Sequence, residues 1–294
     1  MKKNHPANLE SIPVVYHGKI SSNFIVKILI FVAFFIQPAV ARVVNHGTFF
    51  VAGVSPEYVV VAIDSREMKG TVPYDQSCKI VPFSSNAFFF YAGVISTNQT
   101  EGTDFDGTNI AKNSYKKFGA ETTKIAEIAD DWARGMIGVF EQRPLAYGAG
   151  AVHGIMTNGY FVGTGPDGNL LVEGRFVIYD PRFHAFASFP VGKPPTFVDP
   201  MLGATYANGH ANLIKEFSNG AQTDRASKVL AQIGNYPTNQ DTVAARYKAY
   251  VGAVEDWTGA PDIGGETAVI ILERGEHWRW FNRPSHCPKI EKEN

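Results

Sequence analysis

Four short motifs lie in the first half of the chain, two of them where an apolar run begins and two where one ends. They are Gly47-Thr48, Asp64-Ser65-Arg66, Lys79-Ile80 and Tyr91-Ala92-Gly93. Taken singly, each motif is ordinary, because threonine is a good strand former and an aspartate at a strand end is usually a turn residue. Their order and spacing give them a chemical meaning together.

A threonine hydroxyl is a poor nucleophile unless a base removes its proton. If Thr48 became the first residue, its own α-amine could serve as that base, since the usual pKa of an α-amine is about 7.7–8.0. A nearby Lys79 would lower the pKa of the amine by like-charge repulsion, and Asp64 would pair with Lys79. Gly93 would donate its N–H to a developing oxyanion, and Arg66 would brace Asp64 or the neighbouring loop.

Two β-rich runs at 48–54 and 58–64 would position Thr48 and Asp64. Ser55-Pro56-Glu57 is a turn signal between them, so the runs predict a hairpin whose far ends bring Thr48 and Asp64 together. Lys79 lies one strand further along and can reach the same point. The alternative is a strand pair with ordinary surface charges.

The remaining pattern predicts strands and helices in separate blocks, which favours an α+β fold of one mature domain. Strands are predicted at 78–82, 87–92, 151–163, 170–179, 266–273 and 277–281. Helices are predicted at 206–217, 224–233 and 241–257, and between Ile125 and Phe140, where apolar residues recur every three or four positions. The stretch 109–118 is compatible with a helix or a loop.

The four motifs together resemble the β-subunit pattern of the proteasome-type N-terminal-nucleophile hydrolases. Sixteen positions separate Thr48 from Asp64, as in that family, and the interval to Lys79 is one residue shorter than usual. The resemblance extends loosely through Asp167-Gly168 and Gly264-Gly265. It implies a four-layer αββα sandwich, in which helices flank two antiparallel sheets.

The resemblance also implies a function: hydrolysis of an amide or peptide bond by Thr48, exposed by autocleavage after Gly47. Thr48 is then nucleophile and base, Lys79 the activator, Asp64 the partner of Lys79, Gly93 the oxyanion donor and Arg66 a structural support. Tyr91 falls where the family shapes the floor of its first specificity pocket, so small side chains are expected before the cleaved bond. The alternatives are a catalytically silent interaction or assembly module and a small-amide hydrolase of the same superfamily.

Two departures from the family pattern concern residues that support the nucleophile. Gly203, taken as the glycine that opens the later helix pair, is followed by Ala204 and Thr205, although the family places a serine there. Ile263 stands where a second serine is expected, and Asp262 is displaced from the family position. These departures leave Thr48, Asp64 and Lys79 in place.

The N-terminus has the pattern of a secretory signal peptide. Lys27 precedes the apolar run at 28–36, and Ala39-Val40-Ala41 follows it as a cleavage site. A membrane anchor is the alternative, but a spanning helix needs about 20 apolar residues. The predicted divisions are a signal peptide at 1–41, a propeptide at 42–47, the hydrolase domain at 48–283 and a frayed tail at 284–294. The mature protein is expected in the periplasm or outside the cell.

The composition of the chain limits the classes of partner that are expected. With 27 Lys+Arg against 28 Asp+Glu and no basic stripe, nucleic acid is not expected as a partner. No metal or phosphate-binding signature is found, so no metal or cofactor is predicted. The expected partner is a peptide or small-amide substrate, without a membrane after signal cleavage, and a homo-oligomer is left open. Cys78 and Cys287 either pair in an oxidising compartment or stay free thiols.

Overall fold

The computed structural model describes the chain from Thr48 to Lys289 with gaps. The described residues are 48–69, 72–96, 105–142, 154–165, 167–180, 182–191, 197–199, 203–208, 231, 233, 236–258 and 262–289. The predicted signal peptide at 1–41, the propeptide at 42–47 and most of the helix predicted at 224–233 lie outside them.

The first sheet has six strands, and every neighbouring pair in it is antiparallel. In spatial order they are β10 (Phe197–Asp199), β11 (Gly203–Asn208), β1 (Phe50–Val54), β2 (Tyr58–Ile63), β12 (Ala268–Glu273) and β13 (Arg279–Asn282). The predicted hairpin is present, with Phe50 opposite Ile63 and Val54 opposite Val59.

The second sheet has five antiparallel strands in the order of the chain. They are β5 (Ile80–Ser84), β6 (Ala87–Gly93), β7 (Gly154–Thr164), β8 (Leu170–Asp180) and β9 (Ala185–Pro190). A small separate ribbon pairs β3 (Glu67–Lys69) with β4 (Val72–Tyr74). The ribbon lies in sequence between the Asp64 and Lys79 motifs.

Three α-helices lie in the described part of the chain: α1 (Gly107–Lys117), α2 (Ile125–Glu141) and α3 (Asn239–Thr258). The stretch 109–118, which the sequence left open, is therefore almost wholly helical. Asp106 caps α1 by accepting hydrogen bonds from the backbone N–H groups of Thr108 and Asn109. None of the described helices is long and apolar enough to cross a membrane.

Buried side chains fall into three cores. One joins α3 to the first sheet, a second joins α1 and α2 to the second sheet, and a third contains residues of both sheets. Phe49 belongs to the first core and Phe50 to the third, where the Phe50 ring lies 4.9 Å from that of Tyr160. Because both faces of such strands are buried, their sequences are continuously apolar instead of alternating.

The α+β class is confirmed, but one helix prediction was wrong at its start. Residues 206–208, predicted as the beginning of a helix, belong to β11, which pairs with β1. Pairing with β1 supplies backbone hydrogen bonds that override the local preference of this segment. Gly203 therefore begins a strand and does not open a helix pair, which corrects the sequence expectation for this glycine.

The tail also differs from expectation over 284–289. Cys287 is buried and forms a disulfide with Cys78, and its N–H donates to the carbonyl of Pro284 at 3.0 Å. The Trp280 indole donates to the carbonyl of Pro288 at 3.2 Å. Polar composition suggested fraying in this part of the tail, but a covalent link 209 residues apart in sequence holds it.

Candidate active site

Thr48 lies two residues before β1 and Asp64 directly after β2, so the hairpin places them side by side. The N–H of Phe49 donates to Asp64 Oδ1 at 3.1 Å, and the N–H of Asp64 donates to the carbonyl of Phe49 at 3.2 Å. Both Thr48 and Asp64 are buried. The hairpin therefore brings together the two groups as the sequence predicted.

Lys79 joins this pair from the second sheet, where it directly precedes β5. Its Nζ donates to Thr48 Oγ1 at 2.9 Å and to Asp64 Oδ1 at 3.0 Å. The side chain of Lys79 is 1% exposed and that of Asp64 is 2% exposed. The ammonium group thus lies between the hydroxyl and the carboxylate, inside the protein.

Asp64 is surrounded by hydrogen-bond donors. Besides Lys79 and Phe49, the N–H of Gly264 donates to Asp64 Oδ2 at 3.2 Å. Burial raises the pKa of Asp64, while the charge of Lys79 and these hydrogen bonds oppose that rise. A carboxylate held in this way fixes the position of the lysine that contacts Thr48.

Gly93 ends β6 with φ of +89°, and a Cβ at this position would lie 2.6 Å from the carbonyl oxygen of Met156. Glycine is therefore required there. The carbonyl of the preceding residue, Ala92, accepts a hydrogen bond from the Thr157 hydroxyl on β7 at 3.2 Å. Because C=O and N–H of a trans peptide point in opposite directions, the Gly93 N–H points away from β7, toward the side of β6 where Lys79 precedes β5.

Arg66 braces the neighbouring loop and makes no hydrogen bond to the Asp64 carboxylate. Its guanidinium forms a bidentate pair with Asp75, with Nε 2.6 Å from Oδ1 and Nη2 2.8 Å from Oδ2. It also donates to the carbonyl of Ile263 at 2.8 Å. The hydrogen bond with Asp75 raises the pKa of Arg66, and the same bond lowers the pKa of Asp75. The sequence allowed Arg66 to brace either Asp64 or the neighbouring loop, and this geometry corresponds to bracing of the loop.

The backbone of Gly264 is a site element that the sequence reasoning missed. Its N–H contacts Asp64, and its carbonyl accepts from the N–H of Arg66 at 2.9 Å. Ile263 is fully buried in the core beneath α3. The paired glycines before the strand β12 were noted only as part of a pattern, and their spacing gives no indication of a contact with Asp64 about 200 positions away.

Tyr91, the predicted pocket-floor residue, is buried, and its hydroxyl donates to Glu67 Oε1 at 3.0 Å. Burial raises the pKa of Tyr91 well above its ordinary value, and the negative charge of Glu67 adds to the rise. Tyr91 is therefore a neutral hydrogen-bond donor, fixed by a carboxylate on β3. Glu67 is a second residue that the sequence reasoning did not single out.

The arrangement supplies a hydroxyl, an ammonium group in contact with it and a carboxylate that holds the ammonium. That set can stabilise an alkoxide on Thr48. Within the described residues, no group of three or more His, Cys, Asp and Glu side chains could hold a metal ion.

Comparison with protein-family models finds no match for this chain. Comparison with curated proteins finds no match either.

Proposed function

We propose that the protein is an exported hydrolase that cleaves an amide or peptide bond with Thr48 as its N-terminal nucleophile. In this proposal it is a threonine-type peptidase or amidohydrolase, and autocleavage after Gly47 exposes the α-amine of Thr48. The observation that carries the proposal is the position of Lys79 Nζ, 2.9 Å from the Thr48 hydroxyl and 3.0 Å from Asp64.

The burial of this cluster supports a catalytic role. A buried ion pair is weak evidence for stability, because desolvation of the two charges offsets their attraction. An apolar pair of similar volume would fill the same space between the sheets. Buried charges at hydrogen-bond distance from a hydroxyl are typical of activated nucleophiles.

The proposed reaction has two halves. The α-amine of Thr48 takes the proton of its own hydroxyl, and Oγ1 attacks the substrate carbonyl carbon. The N–H of Gly93 stabilises the oxyanion, and the protonated α-amine then gives its proton to the leaving amine as the C–N bond breaks. Water, deprotonated by the same amine, hydrolyses the ester and restores the hydroxyl. Lys79 lowers the pKa of the α-amine throughout and so keeps it available as a base.

The proposed architecture is the four-layer αββα sandwich that the resemblance implies. Its support is the three-core arrangement, in which helices pack on each sheet and a third core contains residues of both sheets. The proposed export by a signal peptide at 1–41 is supported by the Cys78–Cys287 disulfide, since such bonds persist in oxidising compartments.

A catalytically silent assembly module is the second candidate, and one observation favours it. Ile263 is apolar and fully buried where the family has a serine that supports the nucleophile. In a silent protein the segment before Thr48 would stay attached, and Lys79 would serve as a structural ion-pair partner.

Substitution of Thr48 tests the proposal. Thr48→Ala should abolish hydrolysis of a panel of fluorogenic peptide amides, while Thr48→Ser should retain part of it, because each step needs the hydroxyl. The matched control is Thr123→Ala, an exposed threonine in the short helix before α2, which should behave as wild type. Full activity in Thr48→Ala would place the nucleophile elsewhere.

A further inference from the structure

Glu255 lies in the last turn of α3, with its side chain 35% exposed. Its Oε1 accepts a hydrogen bond from the N–H of Gly265 at 3.2 Å and lies 3.7 Å from Nη2 of Arg66. A negative charge in the last turn of a helix opposes the helix dipole and is unfavourable there. These two contacts offset that disadvantage and suggest that Glu255 has a role in the adjoining loop.

That loop is the backbone of Ile263, Gly264 and Gly265, and it is held from two sides. Arg66 contacts it through its guanidinium at the carbonyl of Ile263 and through its own N–H at the carbonyl of Gly264. Glu255 holds the next peptide at the N–H of Gly265. Both glycines have positive φ, +144° and +79°, so side-chain sterics alone do not fix their backbone.

The loop delivers one hydrogen bond to the site: the N–H of Gly264 donates to Asp64 Oδ2, while Asp64 Oδ1 accepts from Lys79 Nζ. A continuous series of contacts therefore runs from Glu255 through the glycine backbone and Asp64 to Lys79, and from Lys79 to the Thr48 hydroxyl.

We propose that Glu255 is a positioning residue for this reaction: its carboxylate oxygen fixes the glycine loop so that the Gly264 N–H stays on Asp64 and Asp64 stays on Lys79. The proposal rests on the proposed function of Thr48.

Loss of the Gly264 hydrogen bond should change how Asp64 titrates. That bond lowers the pKa of Asp64, so its loss raises the pKa further. The charged groups around Asp64 are Lys79 before β5 and Arg66 after β2, with Asp75 acting on both cations. The acidic limb of the pH–rate profile follows the α-amine of Thr48, so the change at Asp64 is measured on the titration of Asp64 itself.

Three variants test this role in the processed protein, obtained by expressing the full chain. Glu255→Ala should lower kcat on the order of 10-fold to 100-fold, the loss expected when catalytic groups are displaced by about 1 Å. Glu255→Gln keeps an oxygen acceptor for Gly265 and should retain most of the rate and the wild-type profile. Asp256→Ala removes an exposed carboxylate from the next residue of α3 and should behave as wild type.

Glycine amide signals give a readout that does not depend on hydrolysis. In protein labelled with [15N]glycine, the Gly264 amide should follow the titration of Asp64, and Glu255→Ala should move that titration to higher pH. The wild type could fail to hydrolyse any substrate while the Gly264 titration still shifts in Glu255→Ala. In that case the proposed function fails and the positioning contact stands. An unchanged Gly264 titration in folded Glu255→Ala, or a Glu255→Gln variant as impaired as Glu255→Ala, would overturn the role of Glu255.

Discussion

At the residue scale, the Lys79 ammonium is held between the Thr48 hydroxyl and the Asp64 carboxylate, and neither charged side chain is more than 2% exposed. Removing one partner leaves the other charge buried and unpaired, which costs about 3–5 kcal/mol. Lys79→Ala and Asp64→Ala should therefore each lose orders of magnitude in kcat/KM. The double variant should be little worse than the poorer single variant, because the two groups act as a unit.

The pH–rate profile of Lys79→Ala separates this role from simple packing. Without Lys79 the α-amine of Thr48 loses a like-charge neighbour, so its pKa rises and residual activity needs a higher pH. Lys116→Ala, on the exposed face of α1, is the matched control. Near-normal activity and an unmoved profile in Lys79→Ala would contradict the assignment.

Tyr91 carries a prediction about substrate choice. Its buried ring is fixed by the hydrogen bond to Glu67, so we expect it to favour small side chains before the cleaved bond. Tyr91→Ala should shift the ratio of kcat/KM values toward larger side chains, by about 1–3 kcal/mol per added methylene. Tyr91→Phe keeps the ring and should keep the preference. A wild-type protein that cleaves equally after aromatic and small residues would count against this role.

At the element scale, the hairpin of β1 and β2 was predictable because both faces of it are buried and its turn residues are distinctive. The segment from Gly203 to Asn208 was not, since its strand forms by pairing with β10 and with β1, and β1 lies about 150 positions earlier in the chain. The ribbon of β3 and β4 is too short, at three residues each, to produce a periodic signal.

The Cys78–Cys287 disulfide gives an element-scale prediction. It links the residue before Lys79 to the segment after β13, across 209 positions. Replacing both cysteines by alanine should lower the free energy of unfolding by about 2–4 kcal/mol, measured by urea denaturation, because the unfolded chain loses a long-range constraint. The rate of hydrolysis should also fall, since the disulfide no longer fixes the backbone next to Lys79. Unchanged stability in the double variant would show that the link contributes nothing to the fold.

The candidate site divides in the same way between what sequence could and could not predict. Thr48, Asp64, Lys79 and Gly93 follow from motifs close together in the chain. The glycine loop reaches Asp64 from about 200 positions away and Glu255 contacts that loop, and only the completed sheet brings them there. Spacing along the chain holds no information about such a contact.

At the scale of the whole molecule, stability should fall in acid. The hydrogen bond from Arg66 lowers the pKa of Asp75 below its ordinary 3.8. Burial alone would raise the pKa of Asp241, but the hydrogen bond and charge of Arg279 outweigh it and the pKa is lowered. Such groups stabilise the fold above their unfolded pKa, and that contribution is lost as pH falls through the folded pKa.

The melting temperature should therefore decline between about pH 5 and pH 2. Asp241→Asn should have a lower melting temperature than wild type at neutral pH. Its melting temperature should fall less on acidification, because residue 241 no longer titrates. Scanning calorimetry of both proteins across this pH range measures whether the melting temperature falls and by how much in each. Equal acid sensitivity in both proteins would mean that the pair of Asp241 with Arg279 does not contribute.

The central claim is that Thr48 becomes the first residue of the mature protein, because only then is its α-amine available as the base. The most direct measurement is the intact mass and N-terminal sequence of the protein after export from cells expressing the full chain. We predict a mature chain that begins at Thr48, and a Thr48→Ala variant that keeps the segment ending in Gly47. Wild-type protein that begins at Arg42, with no molecules beginning at Thr48, would contradict the account.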